Sequence, residues 1–401
     1  MSKPRIRVKG FENDWDSRQL GEISEKVSEK NSAMAVTEVF TNSASLGVIS
    51  QRDYFNHDIA NQDNIGGYQI VSENDFVYNP RVSVTAPVGP ISRNRLGRKG
   101  VMSPLYSIFR THDINRAFLE HYFKTSYWYP FMRYNGNTGA RFDRFAISDA
   151  NFFKMPIPYP EPEEQTIIAD TIEDYSTLLH KVQDEITRFN SLKICYLTRL
   201  FPIGGSTEPP MRMQGFTDNW VEKTLKDCFD ERTERSSDGE LLSVTINNGI
   251  VKFSSLNRHD SSSADKSNYK VVHKGDIVYN SMRMWQGASG CSDYDGIVSP
   301  AYTVLIPKEG IDSKFFACLF KNPEIIHLFR INSQGLTSDT WNLKYQAFSK
   351  IKIRYPESIM EQQKIALLFS EMNTLIDLHT QELDRLKSLH KSFLDGMFVN
   401  P

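Results

Sequence analysis

Lys154-Met155-Pro156-Ile157-Pro158-Tyr159-Pro160 and Lys350-Ile351-Lys352-Ile353-Arg354-Tyr355-Pro356 are one phrase written twice, 196 positions apart. Each runs through Tyr-Pro into a helix start. Glu161-Pro162-Glu163-Glu164 puts proline and acids in a first turn, where unpaired N–H groups and the helix dipole favour them. Ser358-Ile359-Met360-Glu361 has the pattern of a capping box. Upstream of these phrases the pairing continues. Lys9-Gly10-Phe11-Glu12-Asn13-Asp14-Trp15, with Leu20 beyond it, matches Gln214-Gly215-Phe216-Thr217-Asp218-Asn219-Trp220 with Leu225. Asp75-Phe76-Val77-Tyr78-Asn79 matches Asp276-Ile277-Val278-Tyr279-Asn280, and Ser103-Pro104 with Tyr106 matches Ser299-Pro300 with Tyr302. Collinear matches at nearly one spacing establish an internal duplication.

Downstream, Ile168, Ile172, Tyr175, Leu179, Val182, Ile186, Phe189, Lys193, Tyr196 and Leu200 alternate steps of four and three. Ile365, Phe369, Met372, Ile376, His379, Leu383, Leu386, His390, Phe393 and Met397 do the same. Such a seam, sustained for over four heptads, predicts two long coiled-coil-like helices. The first, from Glu164 to Leu200, would run roughly 55 Å. Two matched seams in one chain should pack on each other, antiparallel if a pseudo-two-fold relates the halves, and act as a spacer between two domains. A charge opposite Leu383, as in Ile186→Asp, should then disrupt the pair. Lys193 and His390 interrupt the seams at matching places, either as register devices or as solvated ends. Pro202 and Gly204-Gly205-Ser206-Thr207-Glu208-Pro209-Pro210 end the first helix and link the copies.

The globular parts are predicted to be strand-rich. Tyr68–Ser72, Asp75–Asn79, Arg81–Ala86 and Leu105–Arg110 are short, β-branched or aromatic, and bounded by Gly, Pro and Asn. Lys270–His273, Asp276–Asn280 and Val298–Ile306 answer them in copy two, and helices are expected over Asn115–Thr125 and Asp312–Lys321. The expected fold is α+β, with two tandem-repeat strand-rich domains separated by the two helices. Its segments are a first domain over 1–155, a central spacer helix over 156–203, a linker over 204–210, a second domain over 211–351 and a C-terminal spacer helix over 352–401. The order of strands in the sheets stays open.

The 401 residues suit two domains, and 39% apolar with 24% charged residues is a soluble globular composition. Mean hydropathy is −0.45. No apolar run approaches the ~18 residues of a membrane span, and MSKPRIRVKG lacks the apolar stretch of a signal peptide. Cys195, Cys228, Cys291 and Cys318 form no CxxC pair and read as incidental thiols of a reducing compartment. A cytoplasmic location is expected. The net charge of −2 hides a segregation: 79–144 holds 11 Lys+Arg against 3 Asp+Glu, and 156–191 holds 2 against 8. That is an electrostatic footprint for nucleic acid, or a chance clustering of solvated charges.

A strand-rich domain, Tyr-Pro, then Glu-Gln (Glu164-Gln165; Glu361-Gln362) and Ile-Ala (Ile168-Ala169; Ile365-Ala366) on a long helix, all duplicated, resembles the specificity subunit of type I restriction–modification systems. The resemblance covers essentially the whole chain; copy one departs from it in placing Pro-Glu-Pro-Glu before its Glu-Gln. It implies two target-recognition domains, each reading one half of a bipartite site in double-stranded DNA. It also implies helices that set the gap and dock two methyltransferase subunits, with motor/nuclease subunits completing the complex. S-adenosylmethionine, ATP and Mg would then sit on the partner subunits, with no cofactor, metal or membrane partner for this chain. A specificity subunit of a related system that both cuts and methylates fits as well. A structural coiled-coil protein without DNA binding is a rival of another class, and it leaves the basic bias of copy one unexplained.

Phosphate contacts need Lys, Arg and backbone N–H groups, whereas base edges are read by Arg, Asn, Gln, Ser or Thr. In copy one the candidates are Asn79, Arg81, Arg93, Arg95, Arg98 and Lys99, with Arg133, Asn135, Asn137, Thr138 and Arg141 in a glycine-containing loop. In copy two they are Asn280, Arg283 and Gln286, with Ser333, Gln334, Thr337 and Ser338 in the equivalent loop, where Gly335 answers Gly139. No catalytic residue is expected. Tyr78-Asn79-Pro80-Arg81 only begins like the Asn-Pro-Pro-aromatic motif of amino-methyltransferases. There is no GxG cofactor loop after a strand, no GxxxxGK[ST], no Pro-Asp dipeptide of a nuclease carboxylate cluster, and no Cys/His metal spacing.

Overall fold

Phe76, Val77 and Tyr78 are all buried, yet they divide between two cores. Phe76 and Tyr78 enter an aromatic core with Phe109, Phe118, Phe123 and Phe152, while Val77 enters a smaller one with Val27, Phe40, Val71 and Ile108. Copy two repeats this: Ile277 and Tyr279 lie on one side of their strand and Val278 on the other. Alternate side chains leave a strand on opposite faces, so an unbroken apolar run marks a sheet covered on both.

The computed structural model describes residues 3–55, 62–138, 143–256, 259, 265–337 and 340–399. It divides into two compact units, Met1–Val182 with Glu382–Pro401, and Gln183–Gln381. In the first, a four-stranded antiparallel sheet runs in the order Ser24–Val27, Ser107–Thr111, Phe76–Tyr78, Ile91–Arg93. In the second the order is Phe229–Glu231, Tyr302–Pro307, Ile277–Asn280, Ser289–Cys291. The orders match strand for strand. Two further antiparallel pairs also correspond: Phe40–Ser43 with Gly47–Ser50 and Leu242–Thr245 with Gly249–Lys252; Gln69–Val71 with Gly100–Met102 and Lys270–Val272 with Gly296–Val298. Gly100 and Gly296 start equivalent strands, and neither tolerates a Cβ. At Gly100 it would lie 2.4 Å from the Phe40 ring, and at Gly296 2.3 Å from the Glu240 carbonyl.

The expected helices are present as Arg116–Phe123 and Ser313–Leu319, started by Asn115 and Asp312 side chains that accept first-turn N–H bonds. Arg81–Ala86 is not a strand. Arg81 makes one bridge to Arg144, and the chain then turns, Ser83 and Ala86 exchanging N–H···O bonds at 3.0 and 3.2 Å before Pro87. Val298–Ile306 breaks at the turn Ser299–Tyr302, so it contributes to two sheets.

The long helices span Pro162–Arg199 and Ile359–Met397. Every predicted seam position on both is buried or half-buried. Within the first unit the Tyr175 and Phe393 rings meet at 4.7 Å, and Ser176 Oγ lies 3.2 Å from His390 Nε2. Within the second, Phe189 stacks on His379 at 5.5 Å and Phe201 on Phe369 at 6.2 Å. As one residue number rises the other falls, so in each unit the two helix segments run antiparallel. The ends of the helices complete the cores. Met397, Phe398 and Val399 belong to the core that contains Trp15, and Leu200 and Phe201 to the core that contains Trp220.

The Glu-Gln pairs join each domain to its helix. Glu164 accepts from Arg7 Nε (3.0 Å), Arg7 Nη2 (3.2 Å) and the Trp15 indole N–H (3.0 Å). Glu361 accepts from Arg212 Nε and Nη2, both at 3.0 Å. Gln165 accepts from the Asn115 N–H and donates to the Pro160 carbonyl. Gln362 accepts from the Asp312 N–H and donates to the Gly310 and Pro356 carbonyls. All four side chains are essentially excluded from solvent. Each glutamine thus satisfies backbone groups that burial would otherwise strand.

Candidate nucleic-acid interface

The candidate residues of copy one fall into two groups. Arg93 and Arg95 both donate to Glu120, at 2.7 Å, and Arg95 reaches Glu173 on the first long helix at 2.5 Å. Arg98 makes a two-pronged contact with Glu38, 2.7 Å on each prong, and holds that carboxyl below the ordinary carboxylate range. Lys99, beside it, is exposed. Much of the basic surplus of this stretch therefore faces carboxylates of its own unit, as does Arg110, which grips buried Asp75 at 2.8 and 3.0 Å. Copy two repeats that grip with Arg232 on Asp276, from the residue after the strand Phe229–Glu231.

The pairs of Arg93 and Arg95 border a cavity of about 720 Å³ between the first domain and its helix, lined by His121, Arg93, Arg95, Glu120 and Glu173 among others. His121 is 1% exposed, and neither ring nitrogen has a hydrogen-bond partner among the described residues. Burial first, then Lys124 and Arg95, push its pKa down to about 2. Glu173 Oε1 lies 3.9 Å from its Nε2 but is already held by Arg95. A folded pKa depressed below 6.5 means the unfolded state binds the proton more readily. The contribution is complete above pH 6.5 and is lost as pH falls toward about 2, at roughly 1.4 kcal/mol per pH unit. Urea unfolding at pH 6.5 and 4.5 should show a loss roughly 2–3 kcal/mol smaller in His121→Phe than in the parent chain. Equal losses would show that the imidazole is not held neutral.

The second group gathers at one end of the domain. The Val82 N–H donates to the Asp143 carbonyl at 3.0 Å and the Phe145 N–H to Pro80 at 2.7 Å, so the segment after Tyr78-Asn79 is tied to the one before Ala146. Asn137–Thr138 pairs with Phe145–Ala146. Arg81, Arg133, Asn137 and Thr138 are exposed there, together with Arg144 and a Tyr134 that is 91% exposed. Asn79 and Asn135 are half-buried and serve the backbone, bonding the Asn42 and Phe131 carbonyls. Gly89 permits this turn. Its φ is +85°, and a Cβ would stand 2.1 Å from the Asn79 carbonyl oxygen. A cleft of about 740 Å³ opens here between Pro80, Leu105, Tyr134, Asn137 and Asn151. Arg141 lies outside the described residues.

Copy two builds the same end from equivalent segments. The Leu343 N–H donates to Ser281 at 2.8 Å, and Gln334 and Asn342 exchange backbone bonds at 3.0 and 2.8 Å. Asn280 Oδ1 accepts the Met282 N–H at 3.0 Å, starting the turn that exposes Arg283 and half-exposes Gln286. Ser333 bonds the Phe329 carbonyl and Thr337 is exposed. Ser338 lies outside the described residues. Sequence reading passed over Arg144, Tyr134, Arg330 and Trp341 in these two places. The repeat itself held a signal for one of them, since Arg330 stands 197 positions after Arg133.

Among the described residues no group of three His, Cys, Asp or Glu side chains could hold a metal ion. Nor is any helix of the described residues long and apolar enough to cross a membrane. The family model for the type I restriction modification DNA specificity domain matches the chain twice, over residues 12–188 and 217–388. No curated relative matches it by sequence. Among solved structures it is similar to the S subunit of a type I restriction-modification system from M. genitalium, at 15% identity and a TM-score of 0.59 over 100% of both chains. It is also similar to a chain from a structure describing complex assembly and conformational transition of the type I R-M system. There the identity is 14% and the TM-score 0.53, over 98% of this chain and 100% of that one. At these identities the likeness is one of fold.

Proposed function

The chain belongs to the family of type I restriction–modification DNA specificity domains, and from that premise we propose that it is the non-catalytic subunit that reads a bipartite site in double-stranded DNA. Each domain reads one half of the site, and the helix pair sets the gap. The observation that carries this reading is the double match to the family model, with exposed arginines at the same end of each domain: Arg81, Arg133 and Arg144 in copy one, Arg283 and Arg330 in copy two. Methyltransferase subunits dock on the helices. Leu367, Leu375 and Leu378 are exposed on the second one, an apolar face that an isolated helix in water has no reason to keep. S-adenosylmethionine, ATP and Mg belong to the partner subunits, and motor/nuclease subunits complete the assembly.

Replacing residues 206–349 by the corresponding domain of a relative is expected to change one half of the methylated site and to leave the other half and the gap intact. Inserting four residues near the end of the first long helix, about 6 Å, should alter the gap and keep both half-sequences. Mapping methylated adenines across the genome reads both quantities. A domain swap that altered both halves together would refute the assignment of one domain to each half-site.

A further inference from the structure

Arg330 lies near the end of the helix Pro323–Asn332, and its guanidinium carbon stands 5.4 Å from the centroid of the Trp341 ring. Trp341 in turn meets Trp285 edge to face, with centroids 5.3 Å apart and planes at 80°. The Trp285 indole N–H is committed to the Met282 carbonyl at 3.1 Å, which fixes that ring. Three separate segments thus build one stack: the helix end, the turn after Tyr279-Asn280, and the chain leading into Leu343. Neither tryptophan is buried, and Arg330 is exposed. Unlike Arg93, Arg95 and Arg98, it makes no ion pair with a carboxylate among the described residues.

A guanidinium resting on an indole keeps its planar fork and its N–H donors while losing rotamer freedom. A two-pronged contact to guanine O6 and N7 in the major groove uses that arrangement; a phosphate can take the same fork, but only the base contact carries sequence. Resting on the DNA-reading function proposed above, we propose that Arg330 reads a guanine in the half-site of copy two, with Trp341 as its positioning residue. In copy one Arg133 occupies the equivalent place, but Phe145, whose N–H bonds Pro80 as that of Leu343 bonds Ser281, is preceded by Asp143 and Arg144 and by no tryptophan, so this stack is peculiar to copy two.

The test selects bound duplexes from a randomised pool, using the full chain in complex with the methyltransferase subunits of its system. The parent chain is expected to return a site with a guanine in the copy-two half. Arg330→Ala and Arg330→Lys should both lose preference at that one position by about 5- to 150-fold, since lysine keeps the charge without the fork. Trp341→Ala should weaken the same preference by a smaller factor and leave the other half-site unchanged. If Arg330→Ala weakens binding to all sequences alike and flattens its salt dependence, the residue contacts phosphate and the inference falls. It also falls if the selected site is unchanged, or if the copy-two half contains no guanine. A parent chain that selects no sequence at all would overturn the DNA-reading function, and this inference with it.

Discussion

Glu361→Ala is expected to destabilise the unit of residues 183–381 by about 3–5 kcal/mol, far more than loss of an ordinary surface ion pair. Glu361 is 1% exposed, and the Arg212 side chain it holds is 17% exposed. Removing the carboxylate leaves a guanidinium in a place from which water is largely excluded, with only the Asp218 carbonyl to bond among the described residues. Replacing both partners by methionine should recover much of the loss, because the stranded charge goes with them. Glu164→Ala should act in the same way on the other unit through Arg7, and more strongly, since the Trp15 indole N–H loses its acceptor as well. Urea unfolding of each variant, with hydrogen exchange to assign the loss to one unit, measures both. Single variants within about 1 kcal/mol of the parent would mean the pair is solvated and does not clamp domain to helix.

That clamp shows where sequence reading stops. Glu164-Gln165 and Glu361-Gln362 were visible as a repeated pattern because the repeat is written in the sequence. Their roles were not, since the partners Arg7 and Arg212 lie 157 and 149 positions away. The long helices were legible along their seams because a seam is a local periodicity that tertiary contacts reinforce. The spans 156–203 and 352–401 began too early, however: Pro156–Tyr159 and Lys352–Tyr355 are strands, and the helices are Pro162–Arg199 and Ile359–Met397. The hairpin Phe40–Ser43/Gly47–Ser50 was not, since Thr41, Asn42 and Ser43 do not stand out as a strand, although Asn42 donates to the Val77 carbonyl from a buried position. Charge counting found the basic stretch of copy one but could not show that Glu38, Glu120 and Glu173 face three of its arginines. Nor does any period in the sequence bring Trp285, Arg330 and Trp341 together. Only the fold does that.

Phe398→Ala is expected to cost about 3–5 kcal/mol in the unit that contains Trp15, although Phe398 lies almost at the other end of the sequence. Its ring is 2% exposed and packs on Phe118 and Tyr122 at 5.1 and 5.9 Å. Phe201→Ala should cost as much in the unit that contains Trp220, where Phe201 meets Trp220 and Phe315 at 6.0 and 5.9 Å. The two phenylalanines are 197 positions apart, and the backbone around them corresponds too. The Met211 N–H donates to the Arg199 carbonyl at 2.9 Å, and the Ile6 N–H to the Gly396 carbonyl at 2.8 Å. Copy two is thus entered from the end of the first helix in the way that copy one is met by the end of the second. In the first case the chain is continuous, through residues 202–210. Ending the chain at Asp395 removes Met397, Phe398 and Val399 from the core and should unfold the unit of residues 1–182 selectively. If the shortened chain kept that unit's hydrogen-exchange protection, the first core would be closed without the second helix, and the correspondence between the two junctions would carry no energy.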